Sequence, residues 1–259
     1  MSPTPDPLLS NTLLTDSYAD GLHAARERLH TLMGVAGIQL HLGYPDETPR
    51  ADLLPLGTAD ERTVAELAAH ICPAVDGAER TAGILHAIEL LQSAASQAGL
   101  ALQVGEPQVH QGGSGRVQLG LIDHATVTAL AALIEHSCTS LVEAAGALDS
   151  ALSAIDVTAS AIARGGAVHV NEITVPEGVV LLRHLAPENA IGDIDPDGQA
   201  AGEDLADRLD KAVKAMTGGI FDAAYSPYCR KCSESPSLLF EGRLKPSQAP
   251  GLPSRAQST

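Results

Sequence analysis

The segment from Ala125 to Ala163 constrains the fold more than any other part of the chain. It contains no proline, one glycine at position 146 and four charged side chains. Along it, apolar residues recur at alternating steps of four and three, which is the 3.5-residue period of a helix packed along one face. These residues are Leu141, Ala145, Leu148, Leu152, Ile155, Ala159 and Ile162. The pattern predicts one long Ala-rich helix over about 124–163, or two helices broken near Gly146.

The opposite side of this predicted helix consists mostly of serine, threonine and alanine. A helix with so few charges is expected to be covered on more than one side, because a solvent-facing helix normally carries a charged face. Two covers remain open at this point: the core of the protein's own domain, or a second copy of the chain.

The other segments predict short strands and amphipathic helices. Alternating apolar residues indicate strands at 38–42, 100–104 and 116–122, and a hairpin of strands 167–175 and 179–185 around Pro176. Helical spacing indicates helices at 17–33, 77–98 and 205–216. A further helix is indicated by a Thr58-x-x-Glu61 capping box followed by apolar residues at helical spacing up to Ile71. We therefore predict a helix-rich α+β fold, with the long central helix packed on a small, mainly antiparallel sheet.

Composition along the chain suggests one domain with two flanking segments. We predict a flexible N-terminal lead over 1–15, a single α+β domain over 16–219, and an extended C-terminal segment over 220–259 with a disordered, Pro/Ser-rich end. Four of the six aromatic residues lie in this last segment: Phe221, Tyr225, Tyr228 and Phe240. Such a concentration predicts that the segment docks, either on the body of the protein or on a partner.

The net charge of −16 excludes some functions. A chain without surplus cations cannot displace the counterions of nucleic acid, and it is repelled by anionic membranes. The N-terminus lacks the basic and apolar regions of a secretory signal, and no uncharged apolar stretch has the length of a bilayer. The frequent alanine, with twelve arginines against four lysines, is typical of a GC-rich bacterial genome. We predict a cytoplasmic bacterial protein that binds neither nucleic acid nor membrane.

An acidic loop, GDIDPDGQAAGED over 192–204, resembles an EF-hand calcium loop in its spacing. Asp193, Asp195, Asp197 and Asp204 occupy donor positions 1, 3, 5 and 12, and Gly198 occupies the turn position. However, position 12 is Asp rather than the longer Glu, and Pro187 and Gly192 leave no room for a full entering helix. The alternative is a solvated acidic turn that leads into a helix, whose dipole favours carboxylates in its first turn.

The pair Cys229 and Cys232 forms a C-x₂-C motif, which is half of a tetrahedral zinc site. The other two ligands would come through the fold or from a second chain. The candidates are Cys72 and Cys138, each with a histidine two residues before it, His70 and His136. Because Arg230 and Lys231 favour thiolates, a redox dithiol is a further interpretation. A third interpretation is two cysteines without special chemistry.

Motifs of catalysis are weak in this chain. Asp123-His124 lies where a predicted strand enters a helix, but Asp is also an ordinary N-cap residue. No nucleophile elbow and no zinc-protease motif occurs in the sequence. The favoured interpretation is a non-enzymatic protein, without a cofactor, that acts as a homo-oligomer or by binding another protein. The alternative is a metal-dependent enzyme or sensor, with Ca²⁺ or Mg²⁺ at the acidic loop or Zn²⁺ at the cysteine pair.

Overall fold

The computed structural model describes residues 7–45, 48, 50, 52–72, 83–109, 115–186, 199–217, 221–226, 236–242 and 244. The chain divides into an N-terminal unit, Met1–Ser137, and a C-terminal unit, Cys138–Thr259, with the boundary inside one long helix. The domain limits predicted from composition stay predictions.

The N-terminal unit combines helices with a small antiparallel sheet. Its elements are α1 (Pro7–Ala36), β1 (Leu53–Asp60), α2 (Glu61–Ile71), α3 (Ile84–Gln97), β2 (Gln108–Val109), β3 (Gly115–Asp123) and the first part of α4 (His124–Ala154). The strands lie in the order β1-β3-β2, and the register between β1 and β3 places Asp60 opposite Arg116. The predicted strand over 100–104 is reduced to a single bridge between Val104 and Leu119.

The predicted strand over 38–42 shows the alternating burial of a strand, but it is not paired with another strand. Ile38, Leu40 and Leu42 are buried, and the residues between them are exposed. The segment is not paired as a strand in the sheet. The edge position beside β3 belongs to β1, which begins at Leu53, where no strand was predicted.

The predicted capping box at Thr58 is wrong. Thr58 lies in β1, where its hydroxyl donates to Gln118 Oε1 at 2.8 Å, and α2 is capped instead by Asp60, whose Oδ1 accepts from Thr63 N at 2.8 Å. The helix begins two residues later than a Thr58 cap implies, because Asp60 supplies the acceptor that its first turn requires.

The C-terminal unit contains the remaining elements. These are the rest of α4, β4 (Ala161–Arg164), β5 (Ala167–Val170), β6 (Ile173–Thr174), α5 (Val175–Leu185), α6 (Gln199–Thr217), β7 (Phe221–Ser226) and β8 (Ser237–Gly242). The strands form an antiparallel β4-β5 pair and an antiparallel sheet in the order β6-β8-β7. The two units together confirm the predicted helix-rich α+β fold with small antiparallel sheets.

The long helix is continuous through Gly146 and ends at Ala154, nine residues before the predicted limit. Asp156 has a positive φ of 58°, and Val157 N donates back to Leu152 O at 3.0 Å. Asp tolerates this left-handed conformation better than most residues, so the helix can end there. Ala159 and Ile162 therefore match the helical period by coincidence.

The predicted hairpin around Pro176 is wrong, because residues 175–185 form α5 rather than a strand. Thr174 and Glu177 make the reciprocal capping box, with Pro176 in the first turn, where it needs no N–H partner. Pro176 therefore marks the start of a helix and not the tip of a turn.

Phe240 and Tyr225 of the aromatic C-terminal segment pack on the body of their unit, which is one of the two dockings that the sequence left open, whereas Tyr228 lies outside the described residues. Phe240 on β8 is buried, and the ring of Tyr225 on β7 lies against the backbone of Gly202 on α6. A Cβ at Gly202 would lie 2.3 Å from this ring, so only glycine permits the contact.

Glu177 joins the loop after α4 to the start of α5. One carboxylate oxygen accepts hydrogen bonds from the amide and hydroxyl of Thr158, and the other accepts from the amide and hydroxyl of Thr174. Partial burial raises the pKa of Glu177, but these hydrogen bonds outweigh it and lower the pKa from 4.5 to about 2. Since the pKa is lower in the folded state, ionised Glu177 stabilises the fold above about pH 5, and this contribution is lost as the pH falls towards 2.

We expect Glu177→Gln to lower the free energy of unfolding by about 1 kcal/mol at pH 7, since a carboxylate acceptor for four donors is lost at a partly exposed site. The variant should also lose less stability than the wild type between pH 5 and pH 3. Urea unfolding at both pH values measures this, with the exposed Glu203→Gln as the control. Equal pH dependence in Glu177→Gln and the wild type would contradict the assignment.

Candidate interaction surface

One side of α4 is buried along its whole length. The buried residues follow the predicted 3.5-residue period: Val127, Leu130, Ala131, Ile134, Cys138, Leu141, Ala144, Ala145, Leu148 and Leu152. Residues up to Ser137 belong to the N-terminal unit, and those from Cys138 belong to the C-terminal unit. This side of α4 is thus covered by the protein's own core, which is one of the two possibilities that the sequence left open.

The other side of α4 is exposed in the C-terminal unit. We call it the uncovered α4 face, and its central residues recur at steps of four, three, four and three: Thr139, Glu143, Gly146, Ser150 and Ser153. At its edge Val142 has 53% of its surface exposed. A Cβ added at Gly146 would meet nothing within 4 Å, which shows that the middle of this face is open.

The uncovered α4 face is almost without charge. Between Cys138 and Ala154 the only charged residues are Glu143 and Asp149. Asp149 is half-buried, and its Oδ1 accepts a hydrogen bond from Ala161 N at 3.1 Å. Glu143 is therefore the one exposed charge on this part of the helix, in a protein whose net charge is −16.

Among the described residues, α4 is also the one helix long and apolar enough to cross a bilayer by length and composition. Of its most apolar stretch, 33% is buried. A buried stripe with helical period is the usual arrangement in the core helix of a globular domain. Because α4 is apolar along its length, its unburied side also carries few groups that need water.

The predicted metal ligands are placed only in part. Asp193, Asp195 and Asp197, and the pair Cys229 and Cys232, lie outside the described residues. Asp204 lies on α6, exposed, with its Oδ2 2.5 Å from Arg208 Nη2 one turn further along the helix. This ion pair already compensates the carboxylate that the calcium interpretation would place at position 12 of the loop.

The residues considered as further zinc ligands have other surroundings. Cys138 is buried in the apolar stripe of α4, and Cys72 Sγ donates to Gln97 Oε1 at 3.5 Å. His70 Nδ1 lies 2.7 Å from Ser137 Oγ. Within the part of the chain that the structure describes, no three histidine, cysteine or acidic side chains are grouped as metal ligands.

Asp123 serves as a helix cap. Its Oδ1 accepts a hydrogen bond from Thr126 N at 2.8 Å, and this bond holds the pKa of Asp123 below its ordinary range. The pair Asp123-His124 thus has the ordinary capping role that its position at a strand-to-helix junction suggested.

Comparisons of the whole chain with protein-family models, with curated proteins and with solved structures found no match. Any functional assignment therefore depends on the residues themselves.

We expect the purified protein to contain no stoichiometric zinc, calcium or magnesium, because Asp204 is compensated by Arg208 and the candidate partner cysteines have other contacts. Elemental analysis, with melting curves before and after EDTA, measures this. One equivalent of metal per chain, or a fall in melting temperature with EDTA, would contradict the expectation. Variants Asp197→Asn and Cys229→Ser would then show which of the two candidate sites holds the ion.

Proposed function

We propose that this is a non-enzymatic, cytoplasmic bacterial protein that acts through self-association, with the uncovered α4 face as its interface. The observation that carries the proposal is the contrast between the two sides of one helix. One side is filled by core residues. The other exposes Val142 among small side chains, with Glu143 as its one charge, where a solvent-facing helix would carry several.

The spacing of the uncovered α4 face suits a second helix of the same kind. Steps of four and three keep a stripe aligned with a partner helix over several turns. Small residues such as Gly146 and Ser150 allow two helix backbones to approach closely. A twofold axis makes one surface complementary to itself, so a single stripe is sufficient for a dimer.

The position of Glu143 favours antiparallel helices. A parallel pair in register would place the two Glu143 carboxylates together, which is unfavourable in a partly desolvated contact. In an antiparallel pair with its axis between Gly146 and Ala147, Glu143 of each copy faces Ser150 of the other. A serine hydroxyl can donate a hydrogen bond to the carboxylate.

The net charge of −16 makes the proposed dimerisation depend on salt. Two copies repel each other, and salt screens this repulsion, whereas an apolar contact is little affected by moderate salt. Association through the uncovered α4 face should therefore become tighter as the ionic strength rises. An interface built on ion pairs would respond in the opposite direction.

Sedimentation equilibrium of the full chain tests the proposal. We expect a concentration-dependent dimer whose dissociation constant rises by about tenfold or more in Val142→Glu, equivalent to about 1.4 kcal/mol. Glu143→Gln should strengthen the dimer, because the unfavourable burial of a charge is removed. The matched control is Leu85→Glu, which changes a 58% exposed leucine on α3 and should leave the dissociation constant unchanged.

Two results would contradict the proposal: a monomer at all concentrations and salt levels, or a dimer equally sensitive to Val142→Glu and Leu85→Glu. Circular dichroism and melting curves of each variant separate a lost interface from a lost fold. The alternative, a metal-dependent enzyme or sensor, depends on residues outside the described part of the chain and is tested by the metal analysis above.

A further inference from the structure

A polar recess of about 210 Å³ lies in the N-terminal unit, where β1 and β3 meet the start of α2 and the segment 37–43. It is lined by polar side chains: Gln39, His41, Thr58, Asp60, Thr63 and Arg116. A cavity of about 150 Å³ is large enough to hold benzene, so the recess has room for a small organic molecule.

The fold fixes the segment that carries Gln39 and His41. Gly57 on β1 has a φ of 77°, and a Cβ there would lie 2.2 Å from His41 O, so the segment runs directly against the strand. The nearby Gly43 N donates to Pro55 O at 3.0 Å, and the Arg26 guanidinium holds Gly43 O at 2.8 Å. This wall of the recess is therefore formed without a ligand.

The two fixed charges of the recess come from neighbouring strands. Asp60 lies opposite Arg116 in the register. The hydrogen bond from Thr63 N is the main cause of the lowered pKa of Asp60, and the positive charges of Arg116 and Arg62 make smaller contributions. Among the described residues, Arg116 makes no ion pair within 4 Å and its guanidinium makes no hydrogen bond. The recess thus presents a fixed anion beside a cation whose donors face solvent.

We propose that this recess binds a small zwitterion of the α-amino acid class. Arg116 would hold the carboxylate, since a guanidinium offers two parallel donors that match its oxygens. Asp60 would hold the ammonium group, with Gln39, His41 and Thr58 facing the remainder of the molecule. A ligand with only a carboxylate would place that carboxylate near Asp60, and a ligand with only an ammonium group would place it near Arg116. A zwitterion avoids both repulsions, so the paired charges of the recess favour it.

Calorimetric titration of the full chain with each of the twenty L-amino acids, one at a time, tests this site. We expect at least one to bind. Its N-acetyl derivative and its methyl ester, which lack the ammonium charge and the carboxylate respectively, should each bind about tenfold more weakly or worse. Inorganic phosphate serves as the purely anionic probe.

The variants Arg116→Gln and Asp60→Asn should each weaken the binding by about tenfold or more. Asn is as good an N-cap as Asp, so Asp60→Asn removes the charge while α2 keeps its cap. The control is Arg50→Gln, since Arg50 is an exposed arginine of the same unit whose Nη2 lies 2.6 Å from Asp52 Oδ2. It should bind the amino acid as the wild type does.

The proposal is overturned if no amino acid binds at about 10 mM, a concentration that detects dissociation constants up to the millimolar range. It is also overturned if both variants bind as the wild type does. Binding of phosphate with equal strength, lost in Arg116→Gln and kept in Asp60→Asn, would identify an anion site instead.

Discussion

The buried stripe of α4 is the constraint on which the rest of the described structure depends. It runs from Val127 to Leu152 and supplies buried side chains to each of the two units, so both cores are built on one helix. Truncating a large aliphatic residue in such a position typically costs about 2–5 kcal/mol, a large part of the stability of a whole domain. Because the buried stripe must face the core, the opposite side of α4 faces solvent. The protein surface therefore includes a helix side with very little charge.

A second constraint is the burial of Arg26, the one charged residue among those described that is fully buried. A buried cation is tolerated only when its donors are satisfied. Here Nε and Nη2 donate to the carbonyl oxygens of Gly43 and Leu42, and Tyr44 places its ring 3.9 Å from the guanidinium carbon. The chain over 42–44 is thereby tied to α1.

The sequence was informative wherever one local pattern was sufficient. The absence of proline and the few charges predicted where α4 starts, and the period from Leu141 to Leu152 predicted its buried side in the C-terminal unit. Alternation predicted the burial of Ile38, Leu40 and Leu42. Local patterns failed where tertiary contacts decide. Thr58 and Thr174 both head an S/T-x-x-E pattern, yet only Thr174 caps a helix, because Thr58 is held in β1 by its pairing with β3. Likewise, strand register alone brings Asp60 to Arg116, and no spacing in the sequence signals that pair.

The uncovered α4 face and the polar recess lie in different units, so self-association and ligand binding can be tested independently. The central claim is that the uncovered α4 face is the contact between two copies of the chain. Carbene footprinting at increasing protein concentration tests it most directly, because the label reports the exposure of individual side chains. The labelling of Val142 should fall as the dimer forms, while that of Leu85 should stay constant. Constant labelling of Val142 across the concentration range over which the protein dimerises would contradict the claim.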